Sequence, residues 1–457
     1  MKSKVNTIRM IGCLTAPLAA VMAATLTTAP AVQATTTPTT YTSVSTGGNW
    51  QTSSTWGATS TSYPGENEAG DTADISSGSP VTLGGTISND LGDVNIAAGG
   101  TLELNNGASI PGQASNDDFN VGSSGTGTGT LDVASGSTST VYNLNVGSGS
   151  QGGYVNQTGG TLTVANGAAL YGNDGTYLIS GGTLDLPGYY FGASGASGET
   201  FTLDVAGGTV NLNHYTYVAE SGTGTITITS GGTLDNTAGF QVAHSSGTGT
   251  INLDGGTFET SQTITGSAST GSSYINFNGG TLQATANISS LLSTFTAANV
   301  QAGGAIINTN GFDDTIGQAL LHDATLGTTP DGGLTKTGAG TLTLSGTGNT
   351  YNGNTTVDNG TLQIDAGFLA ATSTVSIASG ALMNLDYAGT DTIASLILGG
   401  SSMGPGTYSH TNDPTYFGNF TGVLNVTGSN IPEPTTLALC GLGGVGLLLL
   451  GQRRRHA

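Results

Sequence analysis

The sequence predicts an all-β protein built as a parallel β-solenoid (β-helix) of ~24-residue coils. Three observations carry this. The phrase Gly-Gly-Thr-apolar recurs along the chain, as GGTLEL from Gly99, GGTLTV from Gly159, GGTLDL from Gly181, GGTVNL from Gly207, GGTLDN from Gly231, GGTFET from Gly255 and GGTLQA from Gly279. Counting the degenerate copy SGSTST from Ser135, Thr138, Thr161, Thr183, Thr209, Thr233, Thr257 and Thr281 are separated by 23, 22, 26, 24, 24 and 24 residues. A period this steady is the mark of one supersecondary unit stacked on itself. Within each unit, short runs such as TITIT (Thr225–Thr229) and TINLD (Thr250–Asp254) alternate with period two, the pattern of half-buried strands.

The N-terminus opens with Lys2, Lys4 and Arg9, then an apolar stretch from Met10 to about Leu26 and small residues ending in Ala-Val-Gln-Ala. This reads as a secretory signal peptide over residues 1–34, cleaved after Ala34. The alternative, an uncleaved anchor, is opposed by Pro17 and the scattered threonines.

Residues 35–85 read as an N-terminal cap with the first strands. Trp50 and Trp56 are six apart, so a strand would place them on one face, covering the open end of the core. The other reading is a pair of exposed rings that stack on sugars.

Residues 86–331 hold the glycine-rich repeats. Each unit has an apolar strand ending in Gly or Ala, such as NVG (Asn120–Gly122), YVA (Tyr217–Ala219) or QVA (Gln241–Ala243). A Ser/Gly/Thr turn, an alternating strand, a Gly-Gly turn and the GGT strand follow. Glycine at the corners supplies the positive φ that tight turns need. Alternation points Leu131, Val133, Ile226, Ile228, Ile251, Leu253, Ile275 and Phe277 inward. It also points Leu162, Leu184, Val210, Leu234, Phe258 and Leu282 inward, so Thr163, Asp185, Asn211, Asp235, Glu259 and Gln283 form an outward column. Asp235 and Glu259 then lie one coil apart, where like charges repel. That column reads either as a solvated face or as a weak divalent-cation site, calcium being the natural candidate.

From Gly332 the chain reads GGLTKTGAGTLTLSGTGNTYNGNTTVDNGTLQI, ending at Ile364. This resembles the autotransporter-associated β-strand repeat, and the preceding Asn299–Asp323 resembles the sequence that leads into it. The resemblance implies a secreted, right-handed parallel β-helix and brings no catalytic residues. Autotransporters end in a membrane β-barrel, and the roughly 90 residues after this repeat are too few for one. Self-export by that route is therefore not expected, and residues 365–430 read as further solenoid coils.

The tail, residues 431–457, reads IPEPTTLALCGLGGVGLLLLGQRRRHA. The apolar Leu437–Leu450 would form a transmembrane helix of ~21–25 Å, short against a ~30 Å hydrocarbon core. Arg453, Arg454 and Arg455 would stop it on the cytoplasmic side. Pro432-Glu433-Pro434, an apolar span and an Arg cluster, in that order, are similar to the PEP-CTERM sorting signal. The resemblance implies an exosortase-type protease as partner, a transient inner-membrane anchor, and then the cell surface or matrix of a bacterium that makes extracellular polysaccharide. The alternative is an ordinary single-span anchor.

Between the two ends, residues 35–430 contain 27 Asp and Glu against the single Lys336, a formal charge of −26. Such a surface repels nucleic acid and anionic lipid and attracts cations. Cys13 and Cys440 lie within the terminal signals, so the exported part has no thiol chemistry.

No catalytic or cofactor-binding set emerges. A uronate lyase needs Arg or Lys as base, and residues 35–430 have no Arg and one Lys, Lys336, inside the recognised repeat. A hydrolase needs two carboxylates facing across a cleft. Asp117-Asp118 and Asp313-Asp314 are adjacent, read as loop or turn acids, and on a strand would diverge to opposite faces. His214, His244, His322 and His410 have no His or Cys partner at ligand spacing and no Ser/Asp set, and His214 and His244 read as solvated. The glycine runs lack the Lys and helix of a phosphate loop. The expectation is a non-enzymatic surface protein in adhesion, biofilm or association with exopolysaccharide or another surface protein. The alternative is a β-helix that binds or cleaves neutral glycans.

Overall fold

In the computed structural model, residues 37–428 are described, apart from positions 58, 79, 114, 116, 148–151, 166–169, 173, 188–190, 193–197 and 268. The signal segment with Ala34, both cysteines, Pro432-Glu433-Pro434 and Arg453–Arg455 lie outside them.

The chain winds into a parallel β-solenoid of about 13 turns. The repeat threonines pair with one another: Thr138 with Thr161, then Thr183, Thr209, Thr233, Thr257 and Thr281, each in register with the next. The sequence period is thus the distance around one coil. Strands stack along three faces. One begins with Thr40–Thr42 and continues through Asp71–Ile75, Leu91–Ile96, Asp118–Val121 and Asn143–Val146. A second includes Thr128–Val133, Gly152–Gln157, Thr223–Thr229, Thr248–Asp254 and Ser272–Phe277. The third holds the GGT strands from Thr138–Val141 onward. Gly175–Leu186 and Thr200–Leu212 run unbroken around the corner between the second and third faces, with register shifts between Ile179 and Thr183. GGTLEL departs from the pattern: Thr101 pairs with Thr130, on the second face.

The Gly-Gly corners use their two glycines differently. Gly231 has φ +96°, a left-handed turn that a β-carbon would strain, whereas a β-carbon on Gly232 would run into the Val205 carbonyl. One glycine turns the chain and the other lets successive backbones close up.

Period-two alternation becomes the core. Ile226, Ile228, Ile251, Leu253, Ile275, Phe277, Leu162, Leu184, Val210, Leu234, Phe258 and Leu282 are all fully buried. Each column stacks like on like, as with Ile226, Ile251 and Ile275.

Two features differ from the sequence reading. From the family-like repeat onward the coil shortens: Leu334 pairs with Thr355, Thr355 with Val375, and Leu342 with Leu362, steps of 20 or 21 residues. The outer turns there are simply shorter, so the ~24-residue period ends. The described region finishes with antiparallel pairings, Ile397 with Ser402 and Gly406 with Val426, which turn the last edge away from further parallel stacking.

The tryptophans do not share a strand. Trp56 ends a short 3₁₀ helix, Ser53–Trp56, that folds back so its indole N–H donates to the Trp50 carbonyl at 2.7 Å. The rings meet edge-on at 4.8 Å and are buried, with the Trp50 indole N–H bonded to the Pro64 carbonyl. They close the core rather than offering a face to sugars.

Ile251→Asp places an unpaired charge in the fully buried column and is expected to abolish cooperative folding or cost at least ~3–5 kcal/mol. Asn252→Asp, half-exposed and still able to accept from Asn276, is expected to stay within ~1 kcal/mol. Urea melts of the two variants check this; equal losses would place the inward face one residue off.

Candidate functional site

The outward faces of the solenoid carry its chemistry, and in-register stacking decides what each residue meets. Amide side chains form ladders. On the first face Asn95 donates to Asp74 (2.9 Å), Asn120 to Asn95 (2.9 Å) and Asn145 to Asn120 (2.7 Å). On the second, Asn156 donates to Asp132 at 3.0 Å, while Asn252 donates to Thr227, Asn276 to Asn252 and Asn299 to Asn276. On the third, Asn211 donates to Asp185 (2.6 Å), Gln283 to Glu259 (3.0 Å) and Asn308 to Gln283 (2.6 Å). An amide both donates and accepts, so it extends a ladder indefinitely; a carboxylate only accepts and starts one. A shallow open groove of about 380 Å³ runs beside the first ladder, lined by Asp74, Ile75, Ser76, Asn95, Ala97, Ser123 and Ser124.

The third-face ladder breaks where Asp235 pairs directly with Glu259. Neither can donate. Burial raises both carboxyls above their usual range, and for Glu259 the neighbouring Asp235 charge adds to it. Among the described residues no group of three or more His, Cys, Asp or Glu is close enough to hold a metal ion.

Several acids act as backbone clamps, a role sequence reasoning missed. Buried Asp331 accepts from the N–H groups of Gly333, Asn352 and Gly353, each at 2.9 Å, and meets His322 Nδ1 at 2.9 Å. That hydrogen bond is the main reason the His322 imidazole is raised. Asp391 accepts from Phe368 and Leu369 N–H, and Asp71 from Thr39 and Gly65 N–H.

Each adjacent acid pair straddles the start of a strand, with Asp117 and Asp313 in the preceding loop and Asp118 and Asp314 in the strand. Asp118 starts the strand Asp118–Val121, where it receives Asn143 at 2.7 Å. Asp314 starts Asp314–Ile316; it is buried while Asp313 is exposed, so the two do diverge to opposite faces. His214 and His244 are half-exposed, and His244 Nδ1 lies 4.0 Å from Glu220. His410 Nδ1 donates to the Phe417 carbonyl, 2.9 Å away.

Lys336 is fully buried, in the inward column between Ile307 and Val357. Its ammonium donates to the carbonyls of Thr337 (2.9 Å), Gly338 (2.7 Å) and Asn359 (3.0 Å). The sequence reading missed this placement; the signal for it is the alternation in LTKT, where Lys336 stands two residues after the inward Leu334. Burial lowers Lys336 to about 8, opposed by the charges of Asp314 and Asp313. Burial raises Asp314 to about 6; the Ile288 N–H opposes this, the Asp313 charge adds to it and Lys336 opposes it. Asp314 Oδ1 accepts from Ile288 N–H, whereas Oδ2 is buried without a hydrogen-bond partner.

The two comparisons with known families fall at the C-terminal end. Residues 334–364 match the passenger-associated-transport-repeat model. Residues 430–455 match the PEP-CTERM protein-sorting motif. No curated protein and no solved structure matches the chain. Among the described residues no helix is long and apolar enough to cross a membrane.

These two buried groups set a pH profile. Folded Asp314 holds its proton more tightly than the unfolded chain does, so stability is lost as pH rises from 3.8 to about 6. Folded Lys336 releases its proton more readily, so stability is regained as pH rises from about 8 towards 10.5, until the burial-raised hydroxyls of Tyr177 and Tyr351 oppose it. Urea melts across pH are expected to lose part of the acid-side slope in Asp314→Asn and the alkaline-side slope in Lys336→Met. Unchanged slopes would show that neither group titrates as buried.

The chain thus joins a parallel β-solenoid containing a passenger-associated transport repeat to a PEP-CTERM sorting motif, the mark of a protein exported and sorted to the cell envelope through exosortase-type machinery.

Proposed function

We propose that this protein is a non-enzymatic component of the cell surface or extracellular matrix that acts through the side faces of its solenoid, in adhesion, biofilm or exopolysaccharide association. The observation that supports this most is the pairing of a sorting motif with a solenoid many of whose acids are bound into its own architecture. Asp331, Asp391 and Asp71 hold backbone amides, and Asp74, Asp132, Asp185 and Glu259 start side-chain ladders. None of these arrangements presents two free carboxylates across a cleft, as glycoside hydrolysis requires.

The sorting motif defines the first test. Pro432 and Pro434 favour extended backbone around Glu433, a form proteases commonly bind. Intact mass of the secreted protein in its host is expected to show loss of the segment from about residue 430 onward. Replacing Pro432, Glu433 and Pro434 with Ala is expected to hold the full-length chain in the inner membrane. A mature protein that still contains Arg453–Arg455 would mean an ordinary anchor.

A divalent cation such as calcium at the break in the third-face ladder is the second element of this reading. The stacked carboxylates Asp235 and Glu259 have no donor between them, and a bridging cation would remove their repulsion. Sodium chloride is expected to raise the melting temperature by screening, over ~8–10 Å near physiological ionic strength. Calcium at equal ionic strength is expected to raise it further, and Asp235→Asn to remove that excess. Equal responses to both salts would eliminate the cation.

A further inference from the structure

Tyr215 is the one exposed large hydrophobic side chain among the described residues, at 37%. It precedes the strand Thr216–Ala219, and Tyr217, two residues on, faces the same way. Their ring centroids are 5.1 Å apart, tilted by 52°. Tyr217 in turn meets His244 of the next coil at 4.4 Å and 44°. The three rings form a row across two coils.

The row is held in place. Thr216 pairs with Phe240, which sets Gly239 opposite Tyr215. The Tyr215 ring leans into the volume that a β-carbon on Gly239 would fill. Its hydroxyl reaches Gln241 Oε1 at 3.4 Å, and Gln241 is itself fixed by donating to the Ala243 carbonyl at 2.8 Å. Polar groups flank the rings. Glu220 and His244 lie 4.0 Å apart with side chains 36% and 42% exposed, and on the other side Thr237 donates to Asn213 at 3.1 Å. The core beneath is already closed by Phe240 against Phe258, 5.3 Å apart, so the outer rings are not needed to fill it.

We propose that Tyr215, Tyr217 and His244 form a binding platform for a neutral glucan chain. A pyranose ring has an apolar C–H face and a rim of hydroxyls. Aromatic rings match the first, and Glu220, Asn213 and Thr237 match the second. Tyrosine gives large, rigid contact area at small entropic cost. The platform lies on the outside of a sheet, which suits an extended polymer rather than a small molecule. A formal charge of −26 over residues 35–430 disfavours polyanionic glycans. The site is independent of the sorting motif, so its failure would leave the envelope role untouched.

The test is affinity electrophoresis of the secreted protein in gels containing dextran, a soluble β-glucan or alginate. Retardation is expected with at least one neutral glucan and not with alginate. Tyr215→Ala combined with Tyr217→Ala is expected to weaken the apparent Kd at least ~10-fold, about 1.4 kcal/mol. Gly239→Ala keeps every ring but displaces Tyr215 from its seat, and is expected to weaken binding as well. Tyr274→Ala, an outward tyrosine elsewhere on the solenoid, is expected to leave binding unchanged. Melting temperatures establish that each variant is folded. No retardation by either neutral glucan, or equal retardation after loss of both tyrosines, would overturn the proposal.

Discussion

In-register parallel stacking is the constraint from which the rest of this molecule follows. Each coil hydrogen-bonds to the next along its backbone, so every side chain has as its neighbour the residue one period away in sequence. Columns are therefore tested against themselves. Ile on Ile and Thr on Thr succeed; so does Asn on Asn, because an amide donates at one end and accepts at the other. Carboxylate on carboxylate offers no donor, as at Asp235 on Glu259, where burial raises both carboxyls and the Asp235 charge raises Glu259 further. A register slip of one residue would exchange the inner and outer faces. The inward Ile and Leu columns forbid that slip.

The same constraint explains how so acidic a chain tolerates its charge. Acids placed at corners are neutralised locally by backbone N–H groups, as at Asp331 and Asp391. Acids on faces start ladders that end in amides. The single lysine of residues 35–430 is turned inward, where three carbonyls surround its ammonium and Asp314 supplies opposite charge. An ammonium in that position does for three converging carbonyls what a bound cation would do, with the charge carried by the chain itself.

Architecture and address are separate modules. The solenoid presents polar ladders and the aromatic row of Tyr215, Tyr217 and His244 to its surroundings, while the sorting motif directs where the chain goes. This division accounts for a surface that shows no converging catalytic groups among the acids described above. It also means that ligand selectivity has to reside in local departures from the repeat. Tyr215 over Gly239 is such a departure, where the repeat yields a row of rings.

The repeat period, the inward apolar set and the strand nature of each unit were determined by the sequence alone, because solenoid periodicity and period-two alternation are one-dimensional properties. The sorting motif was legible for the same reason, as an ordered string of residue types. Partner identity across coils was not. Only the fold placed Thr101 opposite Thr130, shortened the C-terminal coils to 20 or 21 residues, and brought Trp56 back onto Trp50 through a 3₁₀ turn. Lys336 and Asp314 show the division most clearly. The alternation in LTKT holds the inward placement of Lys336, which the sequence reading did not draw, and only closure of the coils showed that Thr337, Gly338 and Asn359 offer it carbonyls, and that Asp314, 22 residues earlier, is buried near enough to influence its charge. Pairing along one coil is a matter of sequence order; pairing around and between coils depends on corner geometry, which a few glycine-directed turns decide and which no local pattern records.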